Sequence, residues 1–256
     1  MASPKQYAVL QKDGLQPNAE QIRRAFSSFH NLTDADAIRL AASAQGILMR
    51  QLGADAARAF QRALQAEGVA AALVLESDLR VLPDGKVLHR LELNSDGFVI
   101  FDLLGRAQPV PWSDLSLVAA GAVRNIETSR DQASQRSSST FGVNPNAMAA
   151  GTKLDAGSQL LLELVLTGRR LRYEINAAHF PFKYAIDRPE FSTLEKFVWL
   201  VKEICRCSPH ALMNRGARDI RDGTELVRGY ASRQVFTDEM VWLLWHNANA
   251  KPTGHA

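Results

Sequence analysis

Apolar residues along the first third of the chain alternate between two spacings. Tyr7-Ala8-Val9-Leu10 is a short apolar run closed by Lys12-Asp13-Gly14, the composition of a strand and its turn. After it, Ile22, Ala25, Phe26 and Phe29 recur at helical spacing, with Asn18 placed as N-cap and Gln21 at the capping-box position. A second helix is expected from Thr33, with Asp36 at the box position and Ala37, Leu40, Ala41 and Ala44 on one face. Gly46-Ile47-Leu48-Met49 reads as a strand and Ala54 to Glu67 as a third helix stopped by Gly68. Ala72-Leu73-Val74-Leu75 then returns as a strand. The expected order over residues 6–77 is β-α-α-β-α-β, a small sheet with helices on one face.

The pattern changes after a linker at residues 78–87, which carries a Pro83-Asp84-Gly85 turn. Leu88–Leu93 alternates, Asp96-Gly97 turns, and Phe98-Val99-Ile100-Phe101 reads as a buried strand. Gln108–Trp112 and Leu115–Val123 continue the sheet. Leu160–Leu166 and Leu171–Ile175 form a hairpin across Thr167-Gly168-Arg169-Arg170, and one more strand is expected over Phe182–Ile186. In the return strand Leu171, Tyr173 and Ile175 face one way, and Arg172 and Glu174 the other. Ser192-Thr193-Leu194-Glu195 is a capping box opening a helix whose Leu194, Phe197, Val198, Val201 and Ile204 share a face. Residues 127–158, rich in Ser, Ala, Gly, Asn and Gln, hold too little apolar surface to offset the entropy of ordering and are expected to be disordered. The helical tail, 209–256, contains one late helix from Thr237 to about Asn247. The fold class is α+β.

Two stretches resemble known families. Ile22 to Val74, through its Asn31-Leu32 turn, Ala37, Leu40 and the Ala57…Ala63-Leu64…Glu67-Gly68 helix ending, resembles the C-terminal domain of the bacterial ribosomal stalk protein, a fold shared by the Clp protease adaptor. In the stalk family a lysine-rich turn opening the second helix docks translation factors. The corresponding turn here, Thr33-Asp34-Ala35-Asp36-Ala37-Ile38, is acidic and then apolar. Residues 88–208, by the order of their strands, the closing helix and the Val110-Pro111-Trp112-Ser113-Asp114-Leu115 step, resemble a bacterial pleckstrin-homology-like barrel. Both resemblances imply recognition scaffolds, hence an adaptor that binds protein partners.

Composition narrows the chemistry. The 256 residues are 46% hydrophobic and 22% charged with a net charge of +3, and the basic residues are interleaved with acidic ones. A nucleic-acid binder would gather them in a stripe. No apolar run has the length of a signal peptide or membrane span, which points to a cytoplasmic chain. Cys205 and Cys207 are spaced too closely on one helix to bond each other and suit reduced, packed thiols. The six histidines form no metal-ligand spacing, and neither a nucleophile elbow nor a phosphate loop is present. No catalytic set, cofactor or metal is therefore expected.

The candidate partner-binding residues are Asn31, Asp34 and Asp36 on the first module, and Trp242 and Trp245 in the apolar run Met240-Val241-Trp242-Leu243-Leu244-Trp245. That run is either buried against the barrel or offered to a partner. A second reading assigns Arg169, Arg170 and Arg172 to an anion or a phospholipid headgroup of a membrane. A third is an enzyme of unrecognised type.

Overall fold

The computed structural model describes residues 5–12, 18–30, 35, 38, 46–102, 104–124, 157–166, 168, 170–186, 188–224 and 227–249. The chain divides into two compact units, Met1–Leu82 with Gln234–Ala256, and Pro83–Arg233.

In the first unit β1 (Tyr7–Gln11) lies between β2 (Ile47–Leu52) and β3 (Ala71–Leu75), antiparallel to both. Helices α1 (Ala19–His30) and α2 (Ala54–Ala66) cover one face. Asn18 caps α1 as its sequence predicts: its Oδ1 accepts from the Glu20 N–H, and the Gln21 side chain accepts from the Asn18 N–H. Ile22, Ala25 and Phe26 meet Ala57, Phe60 and Leu64, with the Phe26 and Phe60 rings 5.0 Å apart. Gly68, at φ +76°, lets the chain leave α2 in the left-handed region, and the Gln21 amide donates to the Glu67 carbonyl at 2.7 Å. Of the expected second helix only positions 35 and 38 are described, both helical; Asn31, Asp34 and Asp36 lie outside the described residues.

The second unit holds two sheets. β4 (Gly85–Val87), β8 (Leu117–Arg124), β9 (Ser158–Leu166), β10 (Leu171–Asn176), β11 (Leu212–Met213) and β12 (Gly229–Tyr230) form the larger. Its order is β11-β8-β9-β10-β4, with β12 also on β8. β5 (Leu91–Leu93), β6 (Gly97–Phe101) and β7 (Ala107–Pro111) form the smaller. Among the described residues neither sheet closes on itself, so the architecture is α+β with open sheets. Helix α3 (Thr193–Cys207) drives Phe197, Leu200, Val201 and Ile204 into the core formed by Phe98, Ile100, Leu162 and Leu164. Its capping box is present in full: the Glu195 N–H donates to the Ser192 hydroxyl and the Ser192 N–H to the Glu195 carboxylate.

The strand expected over Phe182–Ile186 is instead a single 3₁₀ turn, Phe182–Tyr184, following Pro181. Phe180 and Phe182 are buried edge to face at 5.1 Å. Their two-residue spacing imitates a strand, while the proline between them withholds the N–H a central strand needs. Residues 209–232, expected as the part of the helical tail before its one late helix, contain β11, α4 (Arg215–Asp222) and β12. Two-residue strands leave no periodicity to read.

These short pieces complete one edge of β8. β11 pairs Leu117 and Val118, and β12 pairs Ala122 and Val123. The gap between them is filled by a side chain. Asn214 Oδ1 accepts from the Ala120 N–H at 2.9 Å, and its Nδ2 donates to the Ala120 carbonyl at 3.2 Å and to the Tyr230 hydroxyl at 2.8 Å. The same Oδ1 accepts from the Ala217 N–H, so Asn214 also caps α4. Its amide does what a strand backbone would do. The helix begins so close to the strand that a Cβ on Gly216 would lie 1.9 Å from the Ala120 carbonyl oxygen.

β7 ends the smaller sheet differently. Its Trp112 N–H donates back to the Asp96 carbonyl, which fixes the phase of the ladder and turns the nitrogens of Pro109 and Pro111 outward. That edge presents no donor at either position.

The last helix, α5 (Arg233–Asn249), enters the first unit from Gln234. The tail helix, expected against the barrel of the second module or on a partner, instead covers the other face of the β1 sheet, with Val241 and Trp242 packed on Ala8, Leu10 and Ile47. Alternation along β1 sends Val9 to the first face and its neighbours to the second.

Candidate functional site

Trp242 is 7% exposed and belongs to the core of the first unit. Its indole N–H donates to the Gln11 carbonyl at 2.8 Å, and its ring lies so near Gly46 that a Cβ there would sit 2.6 Å from Cγ. Trp245 is half-buried beside the same cluster. The start of α5 is tied down by Arg50, which binds Asp238 and Glu76, each at 2.8 Å.

Arg170 sits at the β9–β10 turn with φ +51°, and Arg169 lies outside the described residues. Arg172 does not face solvent beside them. It points into a charge cluster on the sheet, where it binds Glu163 at 3.2 Å and its own side chain is 14% exposed. Glu163 is fully buried in mid β9, and Glu174 stands directly opposite it on β10. Two carboxylates in register would repel. The Arg233 guanidinium binds both. Burial pushes the Glu163 carboxyl above its usual range, against the pull of Arg233 and Arg172.

Burial likewise pushes the Cys205 thiol up to about 11 and raises that of half-buried Cys207, so neither is activated as a nucleophile. Among the described residues no group of three or more His, Cys, Asp or Glu side chains could hold a metal ion, and no helix is long and apolar enough to cross a membrane.

A cleft of about 500 Å³ opens in the second unit. One wall is the last two turns of α3, contributing Trp199, Glu203, Arg206 and Cys207; the other is the end of β5 and its turn, Leu93, Asn94 and Ser95, with Ala185 at the floor. The helix places residues 199, 203 and 206–207 on one side because they repeat at helical spacing. Glu203 is held by Arg206 at 2.5 Å, and this hydrogen bond keeps its carboxyl below the usual range. Arg206 remains 70% exposed and Glu203 only 27%. The cleft therefore combines an aromatic wall, apolar contacts from Leu93 and Ala185, and a guanidinium at its rim.

Sequence reasoning missed this site. Trp199 lies off the Leu194–Phe197–Val201–Ile204 face of α3. A large aromatic beside the core stripe, rather than in it, is the signal that could have marked it. Comparison with family models, curated proteins and solved structures finds no match for this chain.

Proposed function

We propose that the chain is a non-enzymatic cytoplasmic adaptor that binds a protein partner, and that the α3–β5 cleft is its binding surface. The observation that carries this reading is the cleft itself, where a half-buried tryptophan flanks an accessible arginine. Tryptophan and arginine are the residues that most often dominate binding energy at protein interfaces. The elevated thiols of Cys205 and Cys207 favour binding over covalent chemistry at this place. Under this reading the first unit is a stalk-like module and the second a pleckstrin-like barrel left open, both serving recognition. The anion or headgroup alternative draws less support, since Arg172 is committed to Glu163.

The test is a photo-crosslinker attached to Cys207 of the full chain, which is accessible where Cys205 is buried. A defined protein adduct from source cells, lost in Trp199→Ala, is the expected result. Unchanged adducts in that variant would remove the cleft from the proposal. Binding of the chain to anionic vesicles, abolished by Arg170→Ala, would favour the headgroup alternative.

A further inference from the structure

The cleft has a polarity and a strand edge that together specify its occupant. Along β5 the Asn94 N–H donates to the Gly97 carbonyl at 3.0 Å, and the Phe101 N–H to the Arg90 carbonyl at 3.4 Å. With the register Leu91↔Ile100 and Leu93↔Phe98, positions 90, 92 and 94 turn their backbone groups toward β6. The N–H and C=O of Leu93 consequently point away from β6, and Leu93 is one of the residues that line the cleft.

Two other flanks of the unit are covered or blunted, while β4, the far edge of the larger sheet, pairs only with β10 among the described residues. β11, Asn214 and β12 complete β8, and Pro109 and Pro111 blunt β7. At Leu93 the edge of β5 receives neither treatment, while Leu91, its other outward position, is fully buried.

Charge then selects the ligand. Glu203 and Arg206 neutralise each other through two hydrogen bonds, and of the pair the guanidinium is the more exposed, at 70% against 27%. A guanidinium carries five donors, and its contact with Glu203 leaves others to share with a second carboxylate.

We infer that the cleft takes one extended peptide segment by strand addition at Leu93, with an apolar side chain against Trp199 and an acidic side chain beside Arg206. In an extended chain, side chains two positions apart share a face, so the recognised pattern is apolar-any-acidic or its reverse. This rests on the cleft being the protein-binding surface.

The experiment sorts a displayed library of twelve-residue random peptides against the immobilised full chain. Expected is enrichment of an apolar and an acidic residue two apart. Binding of the enriched peptides should weaken roughly three- to tenfold in Arg206→Glu, which should select basic residues at the same position instead. Methylation of single peptide backbone nitrogens should weaken binding at alternate positions only.

Trp199→Ala should abolish enrichment. Should that variant fold poorly, Ser95→Trp fills the cleft from its exposed turn and serves the same purpose. If wild type enriches nothing beyond Ser95→Trp, the cleft is not a protein-binding surface and the proposed function falls with the inference. If enrichment depends on Trp199 but shows no acidic preference, or Arg206→Glu leaves the preference unchanged, the proposed function stands and this inference is overturned.

Discussion

Two strand edges in the second unit receive opposite treatment. The outer edge of β8 is completed by two short strands and, between them, by the side-chain amide of Asn214. The outer edge of β5 is left to the cleft. Backbone donors and acceptors buried without partners cost about 1–3 kcal/mol each, so a chain that closes one edge with a fully saturated asparagine is under physical pressure to close any edge that is buried. At Leu93, which lines the cleft, water or a ligand can satisfy the edge, while Leu91, the other outward position of β5, is fully buried.

The comparison breaks most sharply at Asn214. Asn214→Ala leaves the Ala120 N–H and carbonyl, the Ala217 N–H and the Tyr230 hydroxyl without their shared partner in a buried place. It should cost roughly 3–5 kcal/mol, read by denaturant unfolding. Amide exchange at Ala120 should accelerate strongly, while that at Leu93, on the open edge, should not change. Equal protection of both amides in the wild type would end the contrast.

A second test asks whether the sheet behind the closed edge depends on its buried charges. Arg172→Met keeps the aliphatic stem but removes a countercharge from Glu163. The expected loss is roughly 2 kcal/mol at neutral pH. The sign with pH follows from the raised carboxyl. Above the ordinary value of 4.5 the folded state holds the Glu163 proton more tightly than the unfolded chain, so stability falls as pH rises through that window. Removing Arg172 should steepen this slope, and unfolding curves between acid and neutral pH would show it. A parallel offset at every pH would mean that Glu163 does not titrate in response.

The smallest effect belongs to the open side. Arg206→Glu should stay within about 0.5 kcal/mol of wild-type stability, because exposed ion pairs contribute little. A larger loss would make Arg206 a structural residue and weaken the case for a rim free to meet a ligand.

What could be read in advance follows the range of the interactions. The Ser192–Glu195 capping box, the Asn18 cap and the Gly68 helix stop are made within a few residues and were legible. Asn214 was not, because its strand partner is 94 positions away in sequence. Arg172 was assigned to the correct side of β10, but alternation does not tell whether that side is wet. Glu163 sits in mid β9, a central strand, and is buried with the rest of its face. The apolar run around Trp242 announced burial or docking, with burial the more common fate of such a run. Only the position of Gly46 and the Gln11 carbonyl shows that Trp242 is packed inside.

The paired prolines of β7 have a consequence beyond their own strand. Propagation of a sheet from one molecule to the next requires two growing fronts, one to receive a strand and one to offer the next. With Pro109 and Pro111 silencing one front, the small sheet has a valence of one. A segment that adds at Leu93 ends the reaction. The loss of two donors on that front disfavours polymerisation through this sheet.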